Sequence, residues 1–296
     1  MAERLTLTDY ASAAGAYFAL WLFGRLPVET ASAFGGWLAR KLGPRFRAHR
    51  YATDNLARAM PELAAAARAK ILDGMWDNLG RVLAEYAHLA DLEVGTPDQP
   101  GRVEIVGAEH VLAVRDSGRP ALFFSGHYGN WELTCLAAEH FSLPMLHVYR
   151  AANNPLTEEL LQNLRKPLGG SHVPKGIQAA RAILAAMKRN EFVAMLMDQK
   201  LNTGIAVPFF GREAMTSPAL AEFALRFDCP VLPAVVERLG GARFRVTVEP
   251  PIRFEKTGDR TTDVYNATLI VNRRLEAWIR ARPDHWFWVH RRWPKD

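Results

Sequence analysis

Leu122-Phe123-Phe124-Ser125-Gly126-His127-Tyr128-Gly129-Asn130-Trp131-Glu132-Leu133 is the stretch from which the rest of the chain is read. Residues 122–125 form a short apolar run of the kind that makes a buried strand, and residues 131–139 have the spacing of a helix. Gly126 and Gly129 lie between them and supply the backbone freedom of a tight turn. A strand that ends in a turn and restarts as a helix is where open α/β sheets place their sites. The same texture recurs outward. Residues 145–149, 192–197 and 231–236 read as further buried strands, and residues 155–165, 176–189 and 218–227 as the helices between them. Residues 243–248 alternate strictly and predict an antiparallel edge strand, followed by a helix over 263–280. The pattern predicts an α/β fold with a mostly parallel sheet flanked by helices on both faces.

Within the turn, His127 and Glu132 are five apart. In a continuous helix such positions lie about 140° round the axis, so His127 must sit in the turn and Glu132 in the first helical turn for their side chains to meet. A carboxylate that accepts a hydrogen bond from one imidazole nitrogen leaves the other free to take a proton from an attacking hydroxyl. An isolated pair of this spacing is ordinarily a structural histidine beside a surface acid. The glycines and the strand-to-helix setting favour the catalytic reading. Zinc chemistry lacks a ligand motif, since His140, His147, His172 and His290 are scattered. No G-x-S-x-G elbow occurs, which excludes the usual serine hydrolase arrangement.

Four other positions follow core strands or loops in the same way. Arg150 and Lys175 are candidates for holding a phosphate or another anionic group, and Asp198 with Gln199 ends a strand and is expected to line the site. Residues 204–211 (GIAVPFFG) are apolar where loops are normally polar, so two readings stay open: an acyl-chain or membrane contact, or a buried loop completing the core. Trp286, Trp288 and Trp293 interleave with His290, Arg291 and Arg292. An interfacial face is favoured for them over a nucleic-acid stacking platform, with part of the set in the core.

Composition bounds the remainder. The chain has 296 residues, 49% of them hydrophobic, and only two cysteines, Cys135 and Cys229, both among apolar neighbours. One large core is expected and a disulfide framework is not, which fits a reducing compartment. A formal charge of +6 argues for anionic partners. Residues 10–24 (YASAAGAYFALWLFG) carry no charge, and Arg25 with Pro27 closes the run early, while Arg40, Lys41, Arg45, Arg47 and Arg50 form a basic stretch soon after. That order predicts an N-terminal membrane anchor and basic segment over 1–50, lying in one leaflet more readily than spanning it, with a pair of buried core helices as the alternative, ahead of an α/β domain over 51–296 with a helical lead-in.

Taken together, GHYGNWEL, VYRAANNPLTEELLQNLR, MLMDQKLNTGIAVPFFGREAMTSPALAEFALRFDCPVLPA and PDHWFWVHRRW resemble the bacterial lipid A biosynthesis late acyltransferases of the lauroyl/myristoyl transferase type, over nearly the whole chain. These sit within the wider lysophospholipid acyltransferase-like superfamily. The resemblance implies a glycerolphosphate acyltransferase-like fold, an acyl carrier protein or coenzyme A thioester as donor, a membrane glycolipid hydroxyl as acceptor, an anionic membrane surface as partner, and work at the cytoplasmic face of the bacterial inner membrane. It implies no cofactor, no metal, no nucleic acid and no covalent acyl-enzyme. His127 and Glu132 match the family's catalytic pair, whose second member is often Asp. Phosphatidylinositol mannoside acyltransferases are similar too, and they leave a second acceptor class open. A non-catalytic lipid- or nucleic-acid-binding protein is the alternative of another kind.

Overall fold

The computed structural model describes residues 5–96 and 99–294. Four helices come first: α1 (Leu7–Phe23), α2 (Val28–Leu42), α3 (Arg47–Ala59) and α4 (Ala65–Glu85). There follow β1 (Val103–Val106), α5 (Ala108–Asp116), β2 (Ala121–Ser125), α6 (Leu133–His140), β3 (Met145–Tyr149), α7 (Pro155–Arg165), β4 (Ser171–Pro174), α8 (Ile177–Lys188) and β5 (Phe192–Leu196). The chain closes with the hairpin β6 (Ile205–Phe209) and β7 (Arg212–Thr216), then α9 (Ala219–Phe227), β8 (Val231–Gly240), β9 (Arg243–Val248) and α10 (Arg260–Ala281).

The main sheet has seven strands in the order β1-β9-β8-β2-β5-β3-β4. It is mixed. The β8, β2, β5, β3 and β4 strands run parallel, whereas β9 is antiparallel to β8 and carries β1 with it. Side chains alternate across the central strands, so Leu122, Phe124, Val193 and Met195 join one core while Ala121, Phe123, Phe192 and Met145 join the other. The first core packs against α3, α4, α8 and the aromatic C-terminal residues, and the second against α5 and α6.

The N-terminal helices are part of this body. The side-chain amide of Asn154, which caps α7, donates to the Asp9 carbonyl (2.8 Å) and to Ser12 Oγ (2.9 Å) of α1. The α2 helix lies against α4 so closely that a Cβ on Gly80 would come 2.2 Å from the Gly35 carbonyl oxygen. The expected N-terminal membrane anchor is overturned, because no helix among the described residues is long and apolar enough to cross a membrane. The α1 helix has 17 residues and ends at Phe23, ahead of Arg25 and Pro27, whereas a span takes roughly 20 predominantly apolar residues.

Two aromatic segments fall to the buried one of the readings left open for them. Residues 204–211 are not a loop against an acyl chain; most of them form β6, with Val207, Phe209 and Phe210 buried in the core. Trp286, Trp288 and Trp293 are 1%, 0% and 4% exposed, so the indoles of the C-terminal motif are core and not an interfacial face. Their rings pack on one another and on Phe209 and Phe210. Cys135 and Cys229 are free and buried.

Candidate active site

The β2 and β5 strands pair in parallel with Ser125 opposite Leu196, and Met197 N–H extends the ladder to the Ser125 carbonyl (2.9 Å). Residues two beyond each strand end therefore stand side by side: His127 and Asp198. The Asp198 carboxylate is fully buried. One oxygen, Oδ1, faces His127 Nδ1 at 2.8 Å, and the other accepts from the His127 backbone N–H (3.0 Å) and from Trp286 Nε1–H (2.8 Å). Burial by itself raises the proton affinity of this carboxyl. The His127 charge and hydrogen bond outweigh it, with help from His290 and Trp286, and hold the group well below the usual carboxylate range. An ionised Asp198 accepts only, so Nδ1 carries the imidazole proton and Nε2 presents its lone pair. The Gln199 amide nitrogen lies 3.3 Å from Nε2. Trp131 and Phe287 flank the ring, with centroids at 5.1 Å and 5.8 Å.

Glu132 is elsewhere in its bonding. It sits at the N-cap of α6, buried, and accepts from Arg165 Nε (2.8 Å) and Nη2 (2.7 Å), from Tyr86 Oη (2.5 Å) and from Trp131 Nε1 (3.0 Å). Burial opposes its charge, yet the bidentate Arg165 pair, Tyr86 and Trp131 keep it ionised below the ordinary glutamate range. The expected hydrogen bond from His127 to Glu132 is not what joins these residues: the two ring nitrogens face Asp198 and Gln199. A guanidinium that offers two parallel charged hydrogen bonds is the stronger partner for a buried carboxylate.

Both groups open onto one cavity of about 100 Å³. Its wall includes His127, Trp131, Glu132, Arg150 and Arg165, and it continues beneath α6 over Phe123, Ala194, Met145, Ala138, Phe141 and Val111. The sheet register explains this lining, since Phe123, Ala194 and His147 form one row across β2, β5 and β3 on the face toward α6. Farther in, Cys135 Sγ lies 3.3 Å from His147 Nδ1, and His147 stacks on His172. Burial, and next the His172 charge, push His147 down to about 3, so it is neutral.

Of the residues expected in the site, His127, Asp198 and Gln199 are brought together. Arg150 lines the cavity and donates to Asn153 Oδ1 at 3.1 Å. Lys175 is not among the lining residues; its backbone N–H bonds the Tyr149 carbonyl at the end of β3. Partial burial and the neighbouring Arg150 charge lower its proton affinity. Sequence reasoning missed Tyr86, Arg165 and Trp286. Arg165 and Trp286 lie in stretches that carry the family resemblance, but nothing in those stretches says which atom each side chain meets.

Residues 2–295 match the family described as Bacterial lipid A biosynthesis acyltransferase. The chain belongs to that family. It is 25% identical over 283 residues to the lipid A biosynthesis lauroyltransferase of Escherichia coli K12, covering 92% of this chain and 88% of the relative. The lipid A biosynthesis palmitoleoyltransferase of the same organism is 24% identical over 280 residues, with the same coverage. Its lipid A biosynthesis myristoyltransferase is 23% identical over 259 residues, covering 86% of this chain and 77% of the relative. This family member is thus an acyltransferase of the lipid A late type, a membrane-associated bacterial enzyme that transfers an acyl group from a donor to a lipid A-related glycolipid.

Proposed function

We propose that the enzyme transfers a fatty acyl group from an acyl carrier protein or coenzyme A thioester to a hydroxyl of a lipid A precursor, with His127 as general base. The observation that carries this reading is the 2.8 Å contact of His127 Nδ1 with ionised, buried Asp198, at the mouth of an apolar cavity. His127 Nε2 takes the proton of the acceptor hydroxyl as its oxygen bonds to the thioester carbonyl carbon. The tetrahedral intermediate then expels the thiolate, which recovers that proton from the imidazolium. Asp198 fixes the tautomer and balances the positive ring. Glu132 acts through Arg165, whose guanidinium it holds in the cavity wall, and Arg150 in that wall, with Lys175 near it outside the wall, positions anionic groups of the substrates. The acyl chain lies in the cavity beneath α6.

The anionic membrane at the cytoplasmic face of the inner membrane is met by surface contact. Exposed Phe18, Trp21, Phe34 and Trp37 beside Arg25, Arg40 and Lys41 support that reading.

The test incubates purified protein with acyl carrier protein and coenzyme A thioesters of several chain lengths and with lipid A precursors, scoring products by mass. Wild type is expected to add one acyl mass to one precursor. His127→Ala and Asp198→Asn are expected to lower kcat on the order of 10³ to 10⁴-fold. An Asp198→Asn variant with wild-type rate overturns the His-Asp pairing. Transfer only to another polar lipid, such as a phosphatidylinositol mannoside, overturns the acceptor.

A further inference from the structure

We propose that Trp286 is a positioning residue for the base, and that residues 285–290 form the third side of the active site, joining the strand ends of β2 and β5. This rests on the reading of His127 as the base. Asp198 has two oxygens, and only Oδ1 meets the imidazole nitrogen. A carboxylate rotates readily about its last bond, so holding Oδ1 in the ring plane requires a fixed donor on the other oxygen. The His127 backbone N–H supplies one from the turn itself at 3.0 Å, and Trp286 Nε1–H supplies a second, shorter one at 2.8 Å from outside the turn. Its indole is rigid and fully enclosed, meeting Trp288 edge-on at 4.5 Å, Phe209 at 5.7 Å and His290 at 5.2 Å. The donor therefore cannot follow a wandering carboxylate.

The same segment grips the main chain on both sides of the pair. Phe287 N–H donates to the His127 carbonyl (3.0 Å), Gly129 N–H donates to the His285 carbonyl (3.0 Å), and His290 Nε2 lies 3.3 Å from the Asp198 carbonyl. Tyr128 and Trp286 complete an antiparallel bridge.

The hydrogen bond has a chemical consequence besides geometry. By drawing charge from Asp198, the indole N–H weakens the carboxylate's hold on the imidazole proton. Removing it leaves more charge on the oxygen that faces Nδ1. The groups that act on this pair are the His127 backbone N–H, Trp286 and His290 from the C-terminal segment, the Arg292 charge beyond them, and Gln199 on the other ring nitrogen.

The measurement compares Trp286→Phe with wild type in the full chain, using the acyl transfer assay. Expected is a fall in kcat of about tenfold or more with KM for donor and acceptor unchanged, and an acid limb of the kcat-pH profile displaced to higher pH. Trp293→Phe removes an indole from the same aromatic cluster, away from Asp198, and is expected to lower the urea midpoint while leaving kcat and the pH limb in place. A Trp286→Phe enzyme with wild-type kcat and limb overturns the proposal, as does a Trp293→Phe enzyme showing the same changes. Should Trp286→Phe not fold, ¹⁵N-indole NMR of the wild type decides: the Trp286 Nε1 proton shift must follow pH with the midpoint of the acid limb, and a flat shift overturns the proposal. Retained transfer in His127→Ala defeats the base reading instead, whatever Trp286 does.

Discussion

Two buried carboxylates, Asp198 and Glu132, lie near His127 with different partners, and their lengths and anchor points account for the division. Asp198 is short and follows the end of β5, level with the turn after β2, so its oxygens reach the ring and backbone of His127. Glu132 opens α6 and extends to the guanidinium of Arg165. Spacing along the chain brought Glu132 forward, because five residues is a distance the eye can measure. The true neighbour of the ring is 71 residues away, and only strand register brings it there. Titration of single buried groups yields a measurable consequence. His147 and His285 are neutral, each pushed down to about 3 chiefly by burial. The unfolded chain takes up protons below about pH 6.5 that these folded side chains refuse, so stability is lost as pH falls from there, by up to about 1.4 kcal/mol per pH unit for each group. Urea unfolding at pH 7 and pH 5 is expected to show a lower midpoint at pH 5 and a smaller drop in His147→Phe. An equal drop in both proteins sinks the assignment.

Among elements, those with apolar runs were legible. The β3 and β9 strands and the α7 helix fall on the residues the pattern assigns them. The β4 strand was hidden because Ser171–Pro174 is a polar edge, held by pairing with β3 and not by an apolar face. The β6–β7 hairpin was hidden for the opposite reason: Pro208, Phe209, Phe210 and Gly211 obscure the alternation, and Phe210 turns the chain with a positive φ of 53°. Helix contact was legible in neither way, since a glycine inside α4 signals weakness until its partner is seen. Gly80→Ala improves helix propensity by about 1 kcal/mol, but its Cβ would meet the Gly35 carbonyl at 2.2 Å and Ala39 Cβ at 2.4 Å. Backbone cannot yield as a side-chain end can. Thermal unfolding is expected to show net destabilisation of about 1–3 kcal/mol; a stabilised variant overturns the close contact.

At the scale of the whole molecule, one buried ion pair ties the helical lead-in to the sheet. Arg238 of β8 donates to both oxygens of Glu85 at the end of α4 (2.5 and 2.9 Å), and Ser32 of α2 and Asn130 of the turn after β2 complete the cluster. Asn78 adds a bond to the Gly129 carbonyl (3.1 Å). The helices from α2 onward thus belong to the same folded body as the turn after β2. Arg238→Met leaves Glu85 buried without its partner and is expected to cost about 3–5 kcal/mol, with Glu85→Leu in the same chain recovering most of it. Equilibrium unfolding of the single and double variants checks this, and a single variant as stable as wild type overturns it.

The segment that grips His127 and Asp198 comes late in the order of synthesis. A ribosome delivers about 5–20 residues per second, and what has emerged begins to fold at once. While residues 285–290 are still in the exit tunnel, the strand ends of β2 and β5 are already outside without the indole that steadies them. His127 and Asp198 can therefore come together in a partly made chain before the donor from Trp286 arrives.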